Sequence, residues 1–154
     1  MSQLNNGNRV PSFEEKDERG NTVSSDTLKG KKYILFCYPK DDTPGCTAEN
    51  CSLRDHYAEL KALGYEIYGV SPDSDKKHIK FKDKYQLPFP LIADTEARLL
   101  TALGAWGEKQ MYGKKYFGVL RSTYIVNEEG IITHVIDKVD TKEHAAQILH
   151  LLKG

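Results

Sequence analysis

Cys46 stands three residues after Thr43 and five before Cys51, in the stretch TPGCTAENC. Thr43 suits a helix N-cap, and Pro44 suits the first helical position because its missing N–H would be unpaired there anyway. Cys46 then falls at the third helical position. Unpaired N–H groups and the positive end of the helix dipole favour a negative sulfur at such a place, while Asp41 and Asp42 work against it. Acidity alone makes a modest nucleophile. Lowering a thiol pKa from about 8.5 to about 6 raises the thiolate fraction at neutral pH only roughly thirtyfold, and intrinsic nucleophilicity falls with the pKa. Fast chemistry needs donors aimed at charge developing on a leaving atom. Thr43 is one candidate. Arg121, in GVLRSTYIV, is another, because an arginine entering an apolar strand calls for a buried anionic partner. The plainer reading, a surface arginine at a strand edge, is the one that pattern alone favours.

The other reactive side chains have plainer readings still. Cys37 lies in an apolar run and reads as a small buried hydrophobe. Spacing alone makes Cys51 an incidental helix cysteine. Cys46, Cys51 and His56 mimic a metal-ligand spacing, but all three would ride one helix on divergent faces, which is poor zinc geometry. His78, His134, His144 and His150 are scattered and read as solvated or core-edge residues. The lysines at 76, 77, 80, 82 and 84 read as a solvated helix face, with Phe81 and Tyr85 turned inward.

These residues need elements to position them. Residues 32–38, KYILFCY, form a continuous apolar run, the pattern of a strand buried on both faces, and residues 65–71, YEIYGVS, repeat it. Between them the pattern predicts a helix from Thr43 to about residue 63, with Cys46, Leu53 and Leu60 on one stripe near Tyr57, facing a sheet. A second helical stretch, DKKHIKFKDKYQL, precedes a short strand at 90–94. STYIVNEEGIITHVID predicts a hairpin turning at Glu129-Gly130. DTKEHAAQILHLLK predicts a closing amphipathic helix, with Asp140 and Glu143 as a capping box and Ala145, Ile148, Leu149 and Leu152 on one face. Near the start, FEEKDERGNTVS predicts a small hairpin turning at Gly20-Asn21. Residues 104–118, GAWGEKQMYGKKYFG, show no periodicity and read as a long loop, a peptide-binding patch or, more simply, a wall beside Cys46. Strands alternating with helices give an α/β fold with a mixed central sheet.

The 154 residues, 39% of them hydrophobic, suit one domain over 1–154 with a single sizeable core. Lys plus Arg and Asp plus Glu number 22 each, so net charge argues for neither nucleic acid nor a membrane surface as partner. The opening segment has no apolar run of signal-peptide length, and no window approaches a membrane span. Three cysteines at uneven positions make a poor disulfide framework and suit reduced thiols in a cytosolic protein.

Pro39, Thr43 and Cys46 stand in the P-x-x-x-T-x-x-C spacing of the peroxiredoxins. Together with Cys51, LPFPLIAD, WGEKQMYGKKYFG and RSTYIV, the pattern resembles the bacterioferritin-comigratory-protein or Q-type branch over nearly the whole chain. The resemblance implies a thioredoxin-like fold with an N-terminal β-hairpin, and a cofactor-free thiol peroxidase acting on hydrogen peroxide and alkyl hydroperoxides. By position, Cys46 corresponds to the peroxidatic cysteine, Arg121 to the arginine paired with it, Thr43 to the hydroxyl contacting sulfur and peroxide, and Pro39 to the ring shielding the site. Cys51 corresponds to the resolving cysteine that many members carry. Cys37 departs from the branch, which commonly has an aromatic residue there, and is given no role.

The resemblance implies further that a Cys46–Cys51 disulfide follows the sulfenic acid and is recycled by thioredoxin or a similar dithiol; the branch is often monomeric. Helix positions five apart lie roughly 8 to 9 Å apart between Cα atoms and are rotated by about 140°. A disulfide needs Cα atoms within about 7 Å, so that pair can close only if the first turns unwind. Gly45 lowers the cost of unwinding. A second function class remains open, a redox-responsive binding or chaperone module in which Cys46 oxidation switches a partner surface. A thioredoxin-like exchanger is disfavoured because no C-x-x-C exists.

Overall fold

The computed structural model describes residues 4–153. Residues 1–3 and 154, which the readings of the opening segment and of one domain over 1–154 also take in, lie outside the described residues. The strand order around the sheet follows from which runs are apolar enough to be buried. β3 (Lys32–Cys37) sits at the centre of a five-stranded sheet in the order β5-β4-β3-β8-β9. It pairs in parallel with β4 (Tyr65–Ser71), which pairs in parallel with β5 (Leu91–Ala93). On its other side it runs antiparallel to β8 (Ser122–Val126), which forms the predicted hairpin with β9 (Ile132–Ile136). The parallel crossovers carry α1 (Pro44–Asp55), α2 (Tyr57–Ala62) and α3 (Asp75–Tyr85). Next come α4 (Arg98–Leu103), which follows β5, and the closing α5 (His144–Lys153). The N-terminal hairpin joins β1 (Glu14–Lys16) to β2 (Thr22–Ser24).

Alternation along β3 divides the core in two. Tyr33, Leu35 and Cys37 pack on one face with Leu99, Leu100, Leu103, Ala105 and Val119. Ile34 and Phe36 face the other side, where with Tyr38 they meet Cys46, Leu53, Leu60, Phe81, Ala145 and Ile148 from the helices. The sheet therefore separates Cys37 from Cys46.

Three expectations are corrected. The helix expected to reach residue 63 breaks at His56, whose φ of −116° and ψ of 15° lie outside the helical region, so α1 and α2 are separate segments. Residues 104–118 are not a loop but hold most of an antiparallel hairpin, β6 (Trp106–Met111) with β7 (Lys114–Val119). It turns at Tyr112 (φ 52°) and Gly113 (φ 78°), the positive-φ pair that suits a two-residue hairpin turn. Its residues are mostly exposed or half-buried, so no buried face imposed an alternating pattern. The capping box is absent as well, because α5 begins only at His144. Asp140 instead accepts from the Lys142 N–H at 3.2 Å and donates its own N–H to Gln147 Oε1 at 3.0 Å.

Candidate active site

The segment linking β3 to α1 is fastened to α3. The buried Asp41 carboxylate accepts from the Tyr38 hydroxyl at 2.6 Å and lies 2.6 Å from His78 Nδ1. The Asp41 N–H donates to Asp73 Oδ2 at 2.8 Å. Asp42 takes a φ of 60°, unusual without glycine, and its carboxylate accepts from Lys84 Nζ and the Tyr85 hydroxyl, each at 2.8 Å. Those two contacts hold its carboxyl below the ordinary value. Lys84 and Tyr85 are thus tied to this link, whereas the sequence reading left the lysine solvated and turned the tyrosine inward.

Thr43 occupies the N-cap position with extended φ and ψ, yet it makes no side-chain cap. Its hydroxyl donates backwards to the Lys40 carbonyl at 2.8 Å, and its own carbonyl accepts from the Thr47 N–H at 2.8 Å. Pro39 is half-buried ahead of this turn. The expected side-chain N-cap is therefore replaced by a turn that leaves both lone pairs of the hydroxyl oxygen uncommitted to the helix.

Cys46 follows in the first turn of α1, 1% exposed, on the predicted stripe with Leu53 and Leu60. Its Sγ accepts from Arg121 Nη2 at 3.4 Å. The same guanidinium donates Nη1 to Glu49 Oε1 at 2.6 Å, and Glu49 is wholly buried. Arg121 is not the surface arginine that pattern favoured. It lies in the link between β7 and β8, and the antiparallel register that sets Cys37 against Ser122 puts it beside the start of α1. Burial alone would lower the guanidinium pKa, but Glu49 and Cys46 together hold it above its ordinary value. Gly45 has room for this approach: a Cβ there would already stand 3.4 Å from Arg121 Nη2.

Cys51 is half-buried in the same helix, with its thiol pKa pushed up by burial against the opposing pull of Arg54. All three cysteines are free thiols. Cys37 is fully buried, and burial raises its thiol far above the ordinary range, as suits the inert role expected of it.

The sequence reading missed Glu49 and the residues behind it. Glu49 lies on the buried stripe of α1, between Cys46 and Leu53, and a glutamate on an apolar stripe is a readable sign of a buried partner. Burial raises its carboxyl to about 7 against the pull of Arg121. His144, expected at the surface or core edge, is fully buried at the start of α5, with Nε2 2.7 Å from the Thr123 hydroxyl and 3.6 Å from Glu49 Oε2. His78 is fully buried as well, between Asp41 and the Ile92 carbonyl.

Residues 6–135 match the AhpC/TSA family model. The chain is 44% identical to the Bacillus subtilis peroxiredoxin Bcp, over 96% of this chain and 94% of that protein. It is 36% identical to the Escherichia coli K12 peroxiredoxin Bcp, over 99% and 98%.

The chain belongs to the AhpC/TSA family and is a peroxiredoxin.

Solved structures agree. A Xylella fastidiosa PrxQ structure superposes with a TM-score of 0.91 at 27% identity, covering 99% of this chain and 98% of that one. A Xanthomonas campestris peroxiredoxin Q superposes with a TM-score of 0.86 at 35% identity, covering 92% and 89%. This peroxiredoxin therefore has the thioredoxin-like fold and is a peroxidase of the oxidoreductase class. Among the described residues no helix is long and apolar enough to cross a membrane.

Proposed function

We propose that this peroxiredoxin reduces hydrogen peroxide and alkyl hydroperoxides with Cys46 as the attacking thiolate. The contact that carries the reading is the one between Arg121 Nη2 and Cys46 Sγ, made by a guanidinium already anchored on buried Glu49. The sulfur attacks one peroxide oxygen, an S–O bond forms as the O–O bond breaks, and the departing oxygen leaves with a proton as water or alcohol. Arg121 and the Thr43 hydroxyl hold the peroxide oxygens and stabilise the charge that develops on them. Pro39 shields the sulfur from bulk water.

Cys46 is then a sulfenic acid. After the first turns of α1 unwind, the Cys51 sulfur displaces its hydroxyl as water and forms the Cys46–Cys51 disulfide. Thioredoxin or a similar dithiol protein reduces that bond by exchange. The cycle needs no cofactor. The protein acts as a single domain, as a monomer in the cytoplasm, and without nucleic acid or membrane as partner. A Xanthomonas campestris relative, 34% identical, is described for its alkyl peroxide reduction activity, which supports alkyl hydroperoxides as substrates here.

The test is steady-state consumption of hydrogen peroxide and tert-butyl hydroperoxide with NADPH, thioredoxin reductase and thioredoxin. Many turnovers per protein are expected, all lost in Cys46→Ser. A protein that oxidises once at Cys46 and does not turn over with any dithiol reductant would instead be the redox-responsive binding module.

A further inference from the structure

Among the described residues two buried side-chain oxygens have no hydrogen-bond partner, Asn50 Oδ1 and Glu49 Oε2. The second faces His144, and the protonation state of that ring can be read from its neighbours. Gln147 donates Nε2 to the Lys138 carbonyl at 3.0 Å, and its Oε1 accepts from the Asp140 N–H at 3.0 Å. Backbone groups cannot exchange roles, so the amide has one orientation. His144 Nδ1, 2.9 Å from that Oε1, must carry a hydrogen. In a neutral ring Nε2 is then a bare acceptor, and it faces the Thr123 hydroxyl at 2.7 Å and Glu49 Oε2 at 3.6 Å. The Thr123 hydroxyl donates into that lone pair, which leaves Glu49 Oε2 buried beside a ring that offers it no hydrogen. One added proton, on the carboxyl or on Nε2, removes the uncompensated buried charge.

We propose that Glu49 and His144 form a one-proton pair that sets how much of the Arg121 charge is available to Cys46 and to peroxide, which makes His144 a positioning residue for the peroxidase reaction. With the proton in place, Glu49 Oε2 carries it on the side facing His144, too far at 3.6 Å for a hydrogen bond to Nε2, while Oε1 accepts from Arg121 as a neutral carbonyl. The guanidinium then keeps its full charge 3.4 Å from the sulfur. With the proton gone, a carboxylate neutralises that charge. Burial, which lifts Glu49 to about 7 and drops His144 to about 4, keeps the proton on the glutamate and puts its loss near neutrality. The charged and titratable groups facing the pair are Arg121 from the link before β8, Cys46 from α1, Cys37 from β3 and Asp140 from the segment before α5. Arg121 opposes proton uptake, and Asp140 favours it on the ring. Thr123, from β8, contributes only its hydroxyl.

The inference rests on Cys46 as the reacting thiol, and the experiment separates the two. Single-turnover oxidation of the full-length reduced protein by hydrogen peroxide is followed from pH 5 to 9. The second-order rate should fall about five- to tenfold on the basic side with a midpoint near 7, the difference between a charge-assisted contact and a neutral one. Glu49→Gln, which carries no titrating proton, should lose that basic limb whatever its absolute rate. His144→Gln, whose amide donates to the carboxylate form, should move the midpoint down by about one unit. Infrared difference spectra of the wild-type protein between pH 6 and 8 supply a readout that needs neither variant to fold. They should show a buried protonated carboxyl, lost with the same midpoint. A flat rate on the basic side, a limb that persists in Glu49→Gln, or no protonated carboxyl at pH 6 overturns the proposal. A carboxyl signal with the expected midpoint in a protein that does not react with peroxide would uphold the proton pair and reject the peroxidase reading of Cys46.

Discussion

Arg121 commits Nη1 to Glu49 at 2.6 Å and keeps Nη2 3.4 Å from Cys46 Sγ, and only a planar fork of donors does both. A lysine at this position carries a point charge that can satisfy one partner at a time. Arg121→Lys is therefore expected to slow the peroxide reaction roughly a hundredfold to a thousandfold, as loss of one well-aimed donor does in comparable sites. Stopped-flow rates together with an unchanged far-UV spectrum check this, and a rate within a few fold of wild type would remove Arg121 from the transition state. Cys37 gives the contrasting case. It is fully buried and on the opposite face of β3 from the layer that holds Cys46. Cys37→Ser should keep the peroxide rate and lose about 1–3 kcal/mol of stability from burying a hydroxyl, measured by urea unfolding.

At the scale of the element, α1 has to serve two states. Wound, it holds Cys46 against Arg121; unwound over its first turns, it lets Cys51 reach the sulfenic acid. The break at His56 isolates the 12 residues of α1 from α2, so that opening α1 leaves α2 and its buried Leu60 in place. Against unwinding stand the bonds from Asp41 and Asp42 to His78, Lys84 and Tyr85, which tie the entry to α1 onto α3. Gly45 works the other way through its low helix propensity. Gly45→Ala would add a methyl at ordinary contact distance, 3.4 Å from Arg121 Nη2 and 3.8 Å from Thr141 Cγ2. It should favour the wound state by about 0.5–1 kcal/mol and slow disulfide formation about two- to fivefold. Because sulfenic acid then waits longer, sulfinic acid at Cys46 should increase under excess peroxide, a ratio read by mass spectrometry. Equal disulfide rates in the two proteins would mean that unwinding does not limit resolution.

For the whole molecule, folding relocates a proton between two side chains that lie far apart in sequence. In the unfolded chain near pH 5.5 a histidine is protonated and a glutamate ionised; in the folded one Glu49 holds the proton and His144 is neutral. Glu49 is raised from 4.5 to about 7, so the folded state binds the extra proton in that window and loses stability as pH rises through it. His144 is lowered from 6.5 to about 4, so the folded state binds fewer protons there and gains stability as pH rises. Between about 4.5 and 6.5 the two contributions cancel. Glu49→Gln removes the first and exposes the second. Its stability relative to wild type should climb by on the order of 1 kcal/mol per pH unit across that window. A difference independent of pH, measured by denaturant unfolding at several pH values, would contradict the assignment.

The sequence by itself determined what lies within a few residues along the chain. Thr43, Pro44 and Cys46 announced a helix start, the seven-residue spacing to Leu53 and Leu60 turned the sulfur inward, and continuous apolar runs marked β3 and β4. These are matters of propensity and period, and they act over one or two turns. Residues 104–118 escaped because a hairpin with no buried face has no alternation to read. Only the tertiary structure decided which distant side chains meet. The antiparallel pairing of β3 with β8 brings Arg121 to Glu49 across 72 positions, and α5 brings His144 to Thr123 across 21. Such pairings depend on strand register and helix docking, which are set by the fit of the whole core and leave no periodic signal in any one segment.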